Sequence, residues 1–144
     1  MSVRFGSSLL DVVVRLLTPF ILLFAAYVIG HGHYSPGGGF QGGVILAGAL
    51  ILIRLVRGRG ASWGLGPEAS LGVASAGLVL YAGIGFASLF FGGNYLDYGA
   101  LPLPLDPAHV RAAGSFGIEV GVGMGVMGVM VLIFDSLIAW EQKD

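Results

Sequence analysis

Four long apolar runs constrain this chain more than any other feature of its sequence. A helix needs about 20 mostly apolar residues to cross the hydrocarbon core of a bilayer. Only 10% of the residues are charged, against about 25% in soluble domains, which is too few to cover a water-facing surface. The sequence therefore predicts an all-α integral membrane protein that forms a single membrane domain over residues 1–144. Its four predicted transmembrane helices are residues 9–29, 42–56, 69–91 and 114–140.

The composition excludes several classes of function. The net charge of -1 leaves no basic surface for nucleic acid. The chain has no cysteine, so disulfides, thiolate metal sites and cysteine nucleophiles are absent. Its many glycines lack the following Lys-Ser or Lys-Thr of a phosphate-binding loop. We therefore expect no metal and no cofactor, and we do not expect the chain to act as an enzyme by itself.

The basic residues predict the orientation in the membrane. With four spans, both termini and the loop between the second and third runs share one side. All but one of the basic residues fall on that side, and the positive-inside rule then places both termini in the cytoplasm of a multi-pass cell-membrane protein. The opposite side has Arg111 alone. We expect the Arg54 side chain, near the end of the second run, to reach the membrane surface.

The segment between the first two runs, residues 30–43, reads GHGHYSPGGGFQGG. Its glycines and its proline interrupt helix formation, and the second run after it is short for a span. Either the second helix begins within this segment, or the segment enters the membrane, as interrupted segments do at transporter ion sites. A tight turn is the simpler interpretation, and both remain open. The residues expected to shape this loop are Pro36, Gly37, Gly38, Gly39, Gly42 and Gly43.

Residues 32–43, GHYSPGGGFQGG, resemble the signature of the MnhB or MrpB type of subunit in multi-subunit Na+/H+ antiporters. Related subunits occur in membrane-bound hydrogenases and similar redox-driven respiratory complexes, and the motif does not separate the two branches. The resemblance implies an accessory subunit that contributes to ion and proton translocation and to assembly. Its implied partners are other membrane subunits and the lipid bilayer, and the transported ions are Na+ and H+. The alternatives are a purely structural subunit and a subunit that binds haem or quinone.

Glu119 is the strongest candidate for a functional residue. It lies about 8 Å inside the start of the fourth run, at 1.5 Å per helical residue. A carboxylate at that depth costs a few kcal/mol unless it is paired, hydrated or protonated, so such residues are often functional. We predict that Glu119 lies on an ion or proton path, and the alternative is a pairing with Arg111 or with a neighbouring subunit. The resemblance also implies an acidic residue near the start of the last helix.

Two residues of the glycine segment are candidates for the same path. His33 titrates near neutral pH and could relay protons, although it could instead hold the turn through bonds to the backbone. Gln41 places an amide among glycines, and its oxygen could help to coordinate a hard cation.

Two patterns in the second half of the chain predict packing. Gly117, Gly121 and Gly125 repeat every fourth residue and so lie on one helix face, which is typical of a helix-packing seam. Glu119 points away from that seam. Residues 92–113 form the longest predicted loop, in which three prolines prevent a long helix.

Overall fold

The computed structural model describes residues 8–32, 34, 37–58 and 65–141. These residues form four α-helices and one short 3-10 helix, Tyr98–Ala100, and contain no strand. All four α-helices are long and apolar enough to cross a membrane, which confirms the predicted all-α architecture with four spans. The α-helices are α1 (Ser8–Gly30), α2 (Gly38–Arg57), α3 (Pro67–Phe90) and α4 (Pro107–Glu141).

The second helix begins inside the glycine segment, at Gly38, four residues before the predicted start at residue 42. Two consecutive glycines make this start available, because Gly37 has φ 150° and Gly38 has φ 59°, values that L side chains rarely adopt. The earlier start gives α2 20 residues, or about 30 Å. Its length therefore suffices for a span without any contribution from the preceding segment.

The fourth helix also begins earlier than predicted, at Pro107 rather than at residue 114. The expectation that the prolines of residues 92–113 prevent a long helix was wrong for Pro107, because a proline at the first helical position lacks only an N–H that would have no partner there. The N–H of Val110 donates to the carbonyl of Asp106, at 3.0 Å, and closes the first turn. The exposed ring of His109 lies 2.5 Å from the Asp106 carboxylate and holds the pKa of Asp106 below its ordinary value.

The helices form a row in the order α1, α2, α4, α3. Helix α4 packs between α2 and α3, and α1 packs along α2 with a small contact to α4. Within the described residues, α3 contacts neither α1 nor α2. Helices α2 and α4 run parallel, because the start of α2 lies against Glu119 and its late residue Arg54 lies against Asp135.

Along the helix axes, the four-helix row has two chemically different ends. We call one the glycine end, defined by Gly32, Gly38, Gly39 and Glu119, and the other the arginine end, defined by Asp11, Arg54, Arg57 and Asp135. The beginning of α1 and the end of α4 both lie at the arginine end. The two chain ends of the helical domain are therefore on the same side.

Glycine contacts bring α3 and α4 close together. A Cβ added at Gly77 would lie 2.5 Å from the Gly121 carbonyl oxygen and 2.6 Å from the Gly125 amide nitrogen. The predicted seam is therefore present, although Gly125 contributes its backbone only, because a Cβ there would point into open space. Gly117 receives the side chain of Ile84. Close backbone approach of this kind is how membrane helices gain van der Waals contact without a hydrophobic driving force.

We expect Gly77→Ala to destabilise the protein by about 1–3 kcal/mol, because the added methyl group forces α3 away from α4. Gly72→Ala in the same helix is the matched control. Nothing lies within 4 Å of a Cβ at Gly72, and alanine is favoured over glycine in a helix by about 0.5–1 kcal/mol. Thermal unfolding of the two variants in detergent measures the difference. Equal stability of Gly77→Ala and Gly72→Ala would contradict the described packing.

Candidate functional site

The start of α2 binds a carboxylate from α4. The first N–H groups of a helix have no partner within the helix, and the summed peptide dipoles make this end electropositive. The Gly39 N–H donates a hydrogen bond to Oε2 of Glu119. Helix α4 thus supplies the anion that the N-terminus of α2 favours.

Three glycines surround this carboxylate, and we call Gly32, Gly38 and Gly39 the glycine cradle. A Cβ at Gly32 would lie 3.2 Å from the Glu119 Cδ, and one at Gly38 would lie 2.6 Å from the same atom. A Cβ at Gly39 would overlap the Glu119 backbone carbonyl. A side chain at Gly38 or Gly39 would occupy space that Glu119 fills, and a side chain at Gly32 would first meet the backbone of Gly38.

The other glycines of the segment serve different contacts. Gly42 lies against α1, where a Cβ would be 3.0 Å from Cδ1 of Ile29. Gly43 lies against α4, where a Cβ would be 2.7 Å from the Gly123 carbonyl oxygen. The glycines that follow the cradle therefore let α2 approach both of its neighbours at once.

Gln41 is exposed, and its side-chain oxygen lies beside Gly37. It follows Gly39 by two residues and so faces about 200° away from the contact with Glu119. The structure does not bring Gln41 onto the Glu119 carboxylate. His33 and Pro36 lie outside the described residues, so their predicted roles stay predictions.

His31 is the described histidine of the glycine segment. Its exposed ring stacks on Tyr27, with 4.1 Å between ring centroids, and its Nδ1 lies 3.1 Å from the Tyr27 carbonyl oxygen. Both contacts hold the ring against the end of α1. Within the described part of the chain, no group of three or more His, Asp or Glu residues could hold a metal ion.

Glu119 is partly buried and lies near the loop between α3 and α4. Tyr98 of that loop packs on Gly114, and burial raises the pKa of its phenol above the ordinary value. Electrostatic interaction with Tyr81 and Glu119 raises the same pKa further. Tyr98 is therefore a neighbour of Glu119 that the sequence reasoning missed.

The alternative pairing of Glu119 with Arg111 is wrong within this chain. The Arg111 guanidinium lies beside the loop residue Gly99, where a Cβ would be 3.1 Å from its Nε. Arg111 precedes Glu119 by about 12 Å along α4. The described partner of Glu119 is the backbone of α2 rather than a basic side chain.

A second charged contact joins α2 to α4 at the arginine end. Nη1 of Arg54 lies 2.5 Å from Oδ2 of Asp135, and the two residues are 4% and 3% exposed. The expectation that Arg54 reaches the membrane surface was wrong, because its side chain enters the α2–α4 interface instead. The signal in the sequence was a pair of opposite charges in two different apolar runs, which rarely stay unpaired in a membrane.

A further ion-pair network ties α1 to α2 at the same end. The Asp11 carboxylate lies 2.5 Å from Nε of Arg57 and 3.3 Å from Nη2 of Arg15. These side chains are partly exposed, so solvent screens them more than it screens the Arg54–Asp135 pair. The arginine end therefore holds one buried and one half-exposed set of charges.

We expect Asp135→Asn to destabilise the protein by about 3–5 kcal/mol, because it leaves the Arg54 charge buried without its carboxylate. The double variant Arg54→Met/Asp135→Leu removes both charges and keeps apolar volume, so it should cost less than the single change. Thermal unfolding in detergent compares the two. A double variant less stable than Asp135→Asn would contradict a buried ion pair.

Comparison with known proteins places this architecture in one family. The family model described as "Domain related to MnhB subunit of Na+/H+ antiporter" matches residues 9–132. The chain is 33% identical to the B-type subunit of the Na(+)/H(+) antiporter of Bacillus subtilis over 132 residues, which cover 90% of this chain and 91% of that protein. It is 31% identical to the protein of the same name from Alkalihalophilus pseudofirmus over 129 residues, 87% of this chain and 88% of that protein.

A third relative is the "Putative antiporter subunit mnhB2" of Staphylococcus haemolyticus, 36% identical over 135 residues, which cover 88% of this chain and 94% of that protein. These similarities extend along nearly the whole chain and are not confined to the glycine segment. The resemblance read from residues 32–43 is thereby confirmed. The chain belongs to the family of domains related to the MnhB subunit of Na+/H+ antiporters.

Proposed function

We propose that this chain is the MnhB-type accessory subunit of a multi-subunit Na+/H+ antiporter and that Glu119 takes part in its ion or proton path. Its family membership and the names of its relatives support the first part. The observation that carries the second part is the Glu119 carboxylate, which lies within an apolar span on the N-terminus of α2. His33 remains a further candidate for this path, and Gln41 a weaker one.

Two physical influences act on the Glu119 carboxylate. A helix N-terminus favours a carboxylate by up to about 2 kcal/mol. A position within the membrane costs a carboxylate a few kcal/mol. The N-terminus of α2 therefore offsets part of the cost of holding this side chain within an apolar span.

The described residues favour proton exchange at Glu119 over a complete Na+ site. A hard cation binds several oxygen ligands, whereas the cradle presents the backbone N–H of Gly39 to the carboxylate. The remaining oxygen ligands for Na+ would come from partner subunits.

We further propose that the arginine end faces the cytoplasm of the cell. Arg15, Arg54 and Arg57 lie at this end, and the positive-inside rule supports that orientation. Both termini are then cytoplasmic and Glu119 lies toward the outer side. Large apolar side chains remain exposed on α1 and α3, and these surfaces would meet lipid or sister subunits.

The test is Na+-dependent proton movement in vesicles that contain the whole complex, normalised to assembled complex. We expect Glu119→Gln to lower this activity by about tenfold or more, because the amide cannot exchange a proton. Glu119→Asp, which keeps the carboxylate, should lose less. Glu68→Gln is the matched control, since Glu68 is an exposed acid in the first turn of α3. Normal activity per complex in Glu119→Gln would exclude the proposed role.

A purely structural subunit is the second candidate, and the same contact favours it. The bond from Gly39 to Glu119 joins α2 to α4, so its loss could weaken folding or assembly alone. In that case Glu119→Gln lowers the amount of assembled complex and leaves the rate per complex unchanged. The two candidates are thus separated by one normalised measurement.

A further inference from the structure

We propose that Arg54 and Asp135 are positioning residues that set the axial position of α2 against α4 and so hold the glycine cradle on Glu119. The inference rests on the proposed function for the importance of Glu119, but its geometry stands apart from transport. It assigns a role at the glycine end to a contact at the opposite end of the bundle.

Between the two ends, the described α2–α4 interface is apolar. Gly43 of α2 lies against the backbone of Gly123, and Ala47 and Leu50 pack with Val131 in a buried cluster that Met127 and Met130 of α4 flank. Small residues such as glycine let helices approach closely. Apolar contacts are non-directional, so they specify the axial register less sharply than a buried pair of charges does.

The Gly39–Glu119 and Arg54–Asp135 contacts are separated by similar distances along α2 and along α4. Gly39 and Arg54 are separated by about 22 Å along α2, and Glu119 and Asp135 by about 24 Å along α4, at 1.5 Å per residue. Because α2 and α4 are parallel, both contacts form at the same register. A slip of one residue displaces both ends by about 1.5 Å, which exceeds the tolerance of a hydrogen bond at Gly39.

Because the Arg54–Asp135 pair is buried, it specifies the axial register of α2 against α4 more strongly than the Gly39–Glu119 contact does. Their side chains are 2% and 4% exposed, so separating them would leave charges in the low-dielectric interior. A buried polar contact that specifies the register of apolar helices is a known use of such groups. The partly exposed Asp11–Arg57 pair joins α1 to α2 and has no such influence on α4.

The test measures the exposure of Glu119 directly, by its modification with dicyclohexylcarbodiimide in the whole complex at one fixed pH, mapped by mass spectrometry. The glycine cradle shields this carboxylate in the wild-type protein. We expect Asp135→Asn to raise the modification rate of Glu119 several-fold. The double variant Arg54→Met/Asp135→Leu, which removes both charges, should raise it as well, and Asp135→Glu should restore most of the wild-type protection. Asp11→Asn is the matched control at the same end and should leave the rate unchanged.

Wild-type protection of Glu119 in the folded double variant would overturn the proposal, since apolar packing alone would then suffice to set the register. If Asp135→Asn does not fold, the double variant decides. A rate that rises equally in Asp11→Asn would also overturn it, because the effect would then be a general loosening. None of these outcomes depends on transport, whereas normal transport by Glu119→Gln would remove the proposed function and leave the positioning result intact.

Discussion

The placement of one carboxylate on one helix N-terminus organises this structure. Glu119 of α4 accepts a hydrogen bond from the first turn of α2, and the close approach of α4 leaves no room for a side chain at Gly38 or Gly39. Parallel neighbouring helices have their dipoles aligned, which is unfavourable. The contact between Glu119 and the start of α2 offsets part of this cost. The Glu119 carboxyl group at the start of α2 and the Arg54 guanidinium in its last turn each complement one end of the α2 dipole. Two long parallel helices can therefore pack side by side.

The remaining helices complete a row rather than a closed bundle. Helix α1 covers one side of α2, and α3 covers one side of α4 through its glycine contacts. The space between the glycine end and the arginine end is filled by buried apolar residues, among them Leu50 and Val131. An ion path that includes Glu119 would thus continue through neighbouring subunits rather than along the α2–α4 interface. This arrangement suits an accessory subunit whose exposed apolar faces meet other membrane components.

Much of this architecture could be predicted from the sequence, because spans and helix breaks are local properties. The four apolar runs predicted the four helices, and the position of Glu119 in an apolar run marked it as a candidate. The start of α4 could not be placed, because a proline can either block a helix or begin one. The choice depends on whether the residue before the proline accepts the first hydrogen bond of the helix. Here the carbonyl of Asp106 accepts it from the N–H of Val110.

Sequence reasoning did not identify the partner of each charged group. Arg54 lies near the end of α2, where an arginine is ordinarily solvated, and only the parallel packing of α2 and α4 reveals that Asp135 lies opposite. The glycine segment was recognised as a unit, yet its glycines divide among Glu119, α1 and α4 according to their direction around one helix. That division depends on where α2 begins, and the sequence left open whether it begins within the glycine segment.

The most direct test of this account is an electron cryomicroscopy structure of the assembled complex at side-chain resolution. We expect the Glu119 carboxylate on the backbone N–H of Gly39 at the start of α2, with α2 and α4 parallel and Arg54 on Asp135. A Glu119 side chain turned toward lipid or toward another subunit, with the N-terminus of α2 elsewhere, would contradict the account.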